Sequence, residues 1–431
     1  MKHDKCLAPF QMILFLMSAS PAFALRAGAA RVDITPNVAS WKIPLGGYAA
    51  RHGEIAQGVH DQIYARALTL ISGQTRAALV SVDLCFLPGQ FRDLIEQNLI
   101  KLGYRDYTGS HLFLAATHTH SAPDPLAMDP ANRFTSPAGW SSYNKQLAEW
   151  TAERIAQSIV KADKDSEPAR MGTAIIHLKN FNRNRRGGSI TDTAMSLLRI
   201  ESVDHKPIAS LVVFAAHPTL YTAKMLKISA DWPGVMEDTV EQDIGGMCLY
   251  FNGAEGDAAP IEMKGLTESE QVTAYGKMIG NAAAAELKEM DQAAESQISS
   301  WIEPVTLPAV KPNGLFLAAA GQLGMSIDQA RERAHGLMPS RTMITFVHLG
   351  KLLLIGMPCE PTGSLGLEVE SMVEQKGFSE AAVTALTNDW IAYALTPEQY
   401  RAGGYEVGMS LFGDRLGPVL VNAIMKGIGH G

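Results

Sequence analysis

Apolar residues recur along this chain in short blocks separated by turn-forming clusters, with longer stretches of helical spacing between them. From Ala29 to Pro36 the run AARVDITP largely alternates apolar and polar positions and stops at a proline, which predicts an opening strand ending in a turn. Two apolar runs, Ala67–Ser72 and Ala77–Leu87, flank a short link containing Gly73-Gln74 and predict a hairpin of central strands. A helix over Gln90–Leu102 follows, and then HLFLAATHTH, residues 111–120, a buried strand whose polar end emerges at a sheet edge. Apolar residues at helical spacing predict a helix over Tyr143–Ala162, and further strands are expected near Met171–Leu178, Met195–Val203 and Ile208–Ala216. Ser269–Ala294 is Ala-rich and reads as a helix, Trp301–Val310 and Thr342–Ile355 as strands, and Ser326–Leu337 as a helix between them. The pattern predicts an α/β fold: a mixed central sheet flanked by helices, in one large domain, with no internal repeat visible in the sequence.

Composition narrows the class. The chain has 431 residues, 46% of them hydrophobic and 19% charged, enough for a large buried core and without the bias of a disordered chain. A net charge of -7 offers no footprint for nucleic acid. Residues 1–24 read as a secretory signal: Lys2 and Lys5 precede an apolar stretch from Leu7 to Met17, and Ala22-Phe23-Ala24 offers a small-x-small cleavage site. The expectation is an exported protein, periplasmic or secreted, with a catalytic domain over residues 25–431. No transmembrane segment is expected after the signal, although peripheral membrane contact is compatible with the sequence. Cys85, Cys248 and Cys359 follow the signal without CxxC spacing, so export permits one disulfide and leaves at least one free thiol.

Candidate chemistry collects where strands end. In Thr117-His118-Thr119-His120-Ser121 two imidazoles two residues apart project to one face of a strand and could address one ion or one substrate. The bland alternative is a pair of polar residues capping the strand. Metallo-β-lactamase-like enzymes need Asp-His soon after such a pair, whereas Asp124 has no histidine directly after it. His217 ends the apolar run LVVFAAHPTLY before a proline, where it either joins a site or fills a corner. Glu360 follows the strand LLLIGMPCEP, and Tyr393 lies in NDWIAY; alone they would be a turn carboxylate and a core aromatic. Together these side chains make a His, His, Glu and weaker-oxygen set that suits zinc with room left for water. FNGAEGDAAP, residues 251–260, is a Gly-rich loop presenting Asp257, either for function or as a plain turn.

These motifs carry a resemblance. THTHSAP, FAAHPT, NGAEGDAAP, GMPCEP and NDWIAY occur in the order and approximate spacing of the neutral, non-lysosomal ceramidase family, and ARVDITP, GGYAARHGEIAQGVHDQIYARAL and ISADWPG also resemble it. The resemblance implies one zinc per chain, held by His118, His217, Glu360 and Tyr393. It also implies His120 beside the metal as acid/base or substrate ligand, and Arg183 of NFNRNRR in substrate binding. On this reading Asp257 shares the proton work with His120, and Tyr393 stabilises the developing oxyanion. Lipid-cleaving members carry a serine where this chain has Ala259, and an additional C-terminal immunoglobulin-like domain for which nothing remains here after the helical end near Gly427. The expected function is hydrolysis of an N-acyl amide, ceramide-like or otherwise, through a metal-activated water. Ester cleavage on the same site is the rival among hydrolases; a lipid- or glycan-binding member that has lost catalysis is the rival outside them.

Overall fold

The computed structural model describes residues 25–132, 141–291 and 297–429. The expected signal segment, residues 1–24, lies outside them, as does the end of the predicted helix 269–294. Within the described residues the fold is mixed α/β, with helices flanking an eight-stranded sheet and a second sheet of four.

A repeat that the sequence does not disclose organises both sheets. In the first unit, strands Arg26–Asp33, Tyr64–Ser72 and Thr75–Val82 form an antiparallel meander. Helix Gly89–Lys101 then crosses over to strand Leu112–Ala116, which pairs parallel to the third strand, and helix Lys145–Lys164 closes the unit. The second unit repeats this order with strands Glu167–His177, Ala194–Ser202 and Pro207–Phe214, helix Asp231–Ile244, parallel strand Met247–Asn252 and helix Glu268–Glu289. The third uses strands Ile298–Thr306, Arg341–Leu349 and Leu352–Gly356, helix Gly363–Glu374, parallel strand Glu380–Thr384 and helix Leu416–Ile428. Units one and two share the large sheet, joined where Arg26 and Ala27 pair with Pro168 and Glu167. The repeat escapes the sequence because a β-meander and its crossover helix need only a hydropathy pattern.

Several boundaries move for local reasons. The expected strand 342–355 is two strands, because Gly350 adopts φ +63 and turns the chain between Leu349 and Leu352. The strand begun at Leu112 stops at Ala116, and His118 adopts φ 72 in the left-handed region. Helix Lys145–Lys164 buries Leu147, Ala148, Thr151, Ala152, Ile155, Ala156 and Ile159, a stripe of helical period, and its first turn is capped by the Asn144 side chain. Helices Gly314–Gln322 and Gly363–Glu374 and strand Glu380–Thr384 are not expected from the hydropathy pattern. Cys85, Cys248 and Cys359 are buried free thiols, so the permitted disulfide is not formed among them.

The parallel strands of the three units converge at their C-terminal ends. Ala116 N–H donates to Leu386 O at 3.3 Å and Ala385 N–H to Asn252 O at 2.9 Å, while the Asn252 side chain donates to Thr117 O at 3.4 Å. Chain segments leaving strands of all three units therefore open onto one place, as ligand sites in open α/β sheets do.

Candidate metal centre

His118 leaves the fourth strand of unit one, His217 the third strand of unit two and Glu360 the third strand of unit three. Tyr393 is brought back beside Glu360 by a two-residue parallel ladder, Glu360–Pro361 with Tyr393–Ala394. The left-handed backbone at His118 (φ 72) and at Ala392 (φ 63), next to Tyr393, costs on the order of 1–3 kcal/mol each and is retained where the surroundings impose it.

All four side chains are buried and their donor atoms face one another. Glu360 Oε2 lies 3.3 Å from His118 Nε2 and 3.4 Å from His217 Nε2, and the Tyr393 hydroxyl is 3.2 Å from His217 Nε2. The tautomers follow from the outer nitrogens. His118 Nδ1–H donates to Cys85 O at 2.6 Å, and His217 Nδ1–H donates to Glu255 O at 2.8 Å and Ala258 O at 3.1 Å. Both Nε2 lone pairs are thereby turned inward, the orientation by which outer hydrogen bonds prepare histidine ligands. Glu360 Oε1 accepts the Trp390 indole N–H at 3.2 Å, but the buried Oε2 has no hydrogen-bond donor. Burial opposes ionisation of Glu360, whereas His118 first and His217 after it hold it well below the usual carboxylate range, and Cys85 and Glu360 in turn raise His118 well above the ordinary imidazole value, so either a proton or a metal ion has to sit between carboxylate and imidazole. A buried anionic oxygen that faces two imidazole lone pairs requires a cation. Tetrahedral zinc with bonds of about 2.0–2.2 Å would separate its ligands by about 3.3–3.6 Å; the two Glu360–histidine spacings fall in that range and the Tyr393–His217 spacing just below it. His118, His217 and Glu360 form one candidate ligand group; Cys85, His118 and His120 form another. The second fits less well, since the Cys85 thiol lies 3.6 Å from the Nδ1 that its own carbonyl already engages, and burial keeps that thiol protonated.

His120 belongs to the same cluster. Its Nε2 is 3.2 Å from His118 Nε2, and its buried Nδ1 has no partner. Burial first, then His118 and His217, lower its pKa well below the ordinary value, which keeps the ring neutral. Gly47 makes room for it: a Cβ there would lie 2.5 Å from His120 Nδ1, and the residue adopts φ +85. Arg51, buried, donates to the carbonyls of His120, Gly46 and Met225 and fixes the loop beneath the ring.

Arg183 and Asp257 are not brought to the donor atoms. Arg183 lies on a short strand directly opposite Ala259, and its half-exposed guanidinium is 3.5 Å from Glu262. Asp257 Oδ1 accepts Gly363 N–H at 2.8 Å, while Oδ2 accepts Asn184 at 3.1 Å and Gln399 at 3.2 Å. Its carboxylate caps a helix and ties loops together. The arginine that does reach the cluster is Arg185, whose Nη2 is 3.1 Å from the Tyr393 hydroxyl. In NRNRR the composition cannot rank three arginines: Arg183 lies within the short strand opposite Ala258–Pro260, and Arg185 and Arg186 follow its end.

The other motif residues scaffold these loops. Trp232 of ISADWPG donates to His217 O at 3.3 Å, Thr119 donates to Ser229 O at 2.7 Å, and Asp61 accepts Ser229 Oγ–H at 2.6 Å and Ala230 N–H at 2.7 Å.

The family model described as neutral/alkaline non-lysosomal ceramidase, N-terminal, matches residues 25–254. Neutral ceramidase B of Dictyostelium discoideum is 30% identical over 258 residues, 54% of this chain and 35% of that protein. Neutral ceramidase of Pseudomonas aeruginosa is 22% identical over 472 aligned positions, covering 90% of this chain and 69% of its own. The crystal structure of a Pseudomonas aeruginosa neutral ceramidase superposes with a TM-score of 0.78 at 21% identity, over 95% of this chain and 75% of that one. The match to the Dictyostelium protein spans about a third of its length. Glu360 and Tyr393 lie beyond the segment that the family model matches, and their place in the site rests on the geometry. With more than half of the chain matched, including His118, His120 and His217, this protein belongs to the neutral/alkaline non-lysosomal ceramidase family.

Proposed function

We propose that this chain is a zinc-dependent hydrolase that cleaves the N-acyl amide of a ceramide-like substrate. The observation that carries the reading is the buried Glu360 Oε2, without a hydrogen-bond donor and within 3.4 Å of two inward-facing imidazole nitrogens, beside the Tyr393 hydroxyl. Family membership and the names of the relatives, all neutral ceramidases, support the amide as the scissile bond.

His118, His217, Glu360 and Tyr393 would hold the metal, which when bound supplies Lewis acidity that lowers the pKa of water toward neutrality and polarises a carbonyl. The chain's own residues do the rest. His120, neutral and with Nε2 aimed at the cluster, takes a proton from the attacking water and returns it to the leaving amine. Trp390 fixes the Glu360 carboxylate through the indole N–H. Arg185 donates to the Tyr393 oxygen and stabilises negative charge there. No protein nucleophile is required, so Ala259 in place of the family serine is compatible with turnover. Export directed by residues 1–24 belongs to the same proposal; N-terminal sequencing of the protein recovered outside the cytoplasm tests it.

The test pairs metal analysis with turnover. The purified protein should contain about one zinc per chain and hydrolyse ceramide in a chelator-sensitive manner, with esters of the same acyl chain as the comparison. His118→Ala and His217→Ala should lose both zinc and activity. Turnover that survives in a metal-free His217→Ala protein would overturn the scheme, and a protein that binds lipid without cleaving it would favour the binding role.

A further inference from the structure

A cleft of about 370 Å³ lies between units one and three, next to the metal cluster but not part of it. Phe86, Leu126, Met338 and Trp390 give it an apolar wall, in which the Phe86 and Trp390 rings stack with their centroids 4.0 Å apart. None of the donor residues His118, His120, His217, Glu360 and Tyr393 lines it. Trp390 touches both places, because its indole N–H donates to Glu360 Oε1 at 3.2 Å. The volume falls within the span of small-molecule sites, about 300–1,000 Å³, which combine apolar walls with a few polar groups.

The charges on its walls decide what it can hold. Asp93, Asp129 and Asp389 line the cleft against Arg92 and Arg341, and Arg92 is already paired with Glu96 at 2.7 Å, so the balance is negative. The oxygens of Asp389 are occupied: Oδ1 accepts Gly89 N–H at 2.9 Å and Trp390 N–H at 2.8 Å, and Oδ2 accepts the Thr342 hydroxyl at 2.8 Å. Asp129 keeps an unused oxygen. Only 4% of this residue is exposed, its Oδ1 accepts Ala131 N–H at 2.8 Å, and among the described residues nothing donates to Oδ2. That oxygen is not among the fully enclosed atoms without a partner, so it stays accessible from the cleft that the residue lines. Arg92 Nε also lacks a partner but is fully enclosed, so it offers nothing to an anion in the cleft. Burial raises Asp129 to about 6, and a cation beside it would favour the ionised form.

We propose that this cleft is a second ligand site, for an aliphatic amine whose ammonium pairs with Asp129 and whose chain lies on Phe86, Met338 and Trp390. An ammonium supplies both the donor that Oδ2 lacks and the charge that offsets the acidic wall, while the alkyl chain covers the aromatic stack. The pair would form at a nearly buried carboxylate, where salt screens it less than at an open surface. The inference is independent of the hydrolase reading, since it requires neither zinc nor turnover. Trp390, in the wall of the cleft, makes occupancy visible in indole fluorescence.

The experiment titrates the protein with n-octylammonium by calorimetry, with 1-octanol and octanoate as neutral and anionic probes of the same chain. Octylammonium should saturate a single site, and octanol should bind about ten- to hundredfold more weakly, the loss expected for a hydrogen bond to a charged group. Octanoate should bind more weakly still. Asp129→Asn retains an oxygen for Ala131 N–H and should bring octylammonium down to the affinity of octanol. Asp93→Asn, at an exposed position of the rim, should change that affinity by no more than about fivefold. Tryptophan emission should shift on binding in the wild type and stay constant in Trp390→Phe, which keeps an aromatic wall and should still bind octylammonium by calorimetry. His217→Ala without zinc should bind octylammonium as the wild type does, so the site stands even if the hydrolase reading falls. Unchanged affinity in Asp129→Asn, or octanoate bound as tightly as octylammonium, would overturn the proposal. So would an emission change that survives in Trp390→Phe, or binding that is lost with the zinc ligands, since either would put the amine outside the cleft.

Discussion

At the residue scale, His120 works only while its ring keeps its place, and Gly47 is the residue that leaves the space. In Gly47→Ala the new methyl meets the ring at 2.5 Å from Nδ1, in a backbone conformation that disfavours side chains, so the ring must move. Turnover should fall about 10²–10⁴-fold, the range for a displaced acid/base group, with zinc retained. A Gly47→Ala protein with unchanged kcat would separate His120 from the chemistry. Gly47 and Arg51 carry no sign of this in the sequence, since a glycine that yields space to a ring and a buried arginine that donates only to carbonyls look like loop residues. His118, His120, His217 and Glu360 could be singled out because each follows an apolar run, and strand ends place side chains at sheet edges, whereas Tyr393 of NDWIAY reads alone as a core aromatic and is marked by its company and by the family resemblance.

At the element scale, hydropathy period located helix Lys145–Lys164 and the strands of unit two, with ends shifted by a few residues. It missed helix Gly363–Glu374, whose start is set by tertiary contacts: Asp257 Oδ1 accepts from Gly363 N–H, and the two residues are far apart in the chain. Helix Asp231–Ile244 begins at a buried aspartate with φ 56 whose carboxylate accepts Tyr221 N–H at 3.1 Å and Trp232 N–H at 2.6 Å. Burial nevertheless raises Asp231 to about 7. The native state then binds more protons than the unfolded state between about pH 3.9 and the raised value, so this contribution to stability is complete below that window and is lost as pH rises through it. Asp231→Asn should remove that slope. The stability difference between wild type and variant, read from urea midpoints, should shift against the wild type from about pH 5 to about pH 8; a constant difference would place the charge of Asp231 elsewhere.

At the scale of the whole molecule, three copies of one supersecondary unit contribute to a single donor cluster, so the site exists only when the units are assembled. Units one and two are clamped by a buried ion group: Arg66 lies 3.2 Å from Asp83 and 2.9 Å from Glu237, and all three are almost fully buried. Unit three is tied to unit one by Asn388, which accepts Leu114 N–H at 3.1 Å and donates to Leu112 O at 2.8 Å. Removing the cation of the clamp strands two carboxyl groups, and Arg66→Met should therefore cost about 3–5 kcal/mol, whereas combining it with Asp83→Asn and Glu237→Gln should recover part of that loss. Because His118, His217 and Glu360 leave three different units, metal binding should be linked to the entire fold. Free zinc at about a hundred times its dissociation constant should add about 2.7 kcal/mol to unfolding of the wild type and nothing to His217→Ala. Urea titrations with and without zinc decide it. A single transition that moves as a whole means the units fold and bind together; two transitions, with zinc moving one of them, would mean that the donors assemble within part of the chain and that the clamp at Arg66 is not needed to form the site.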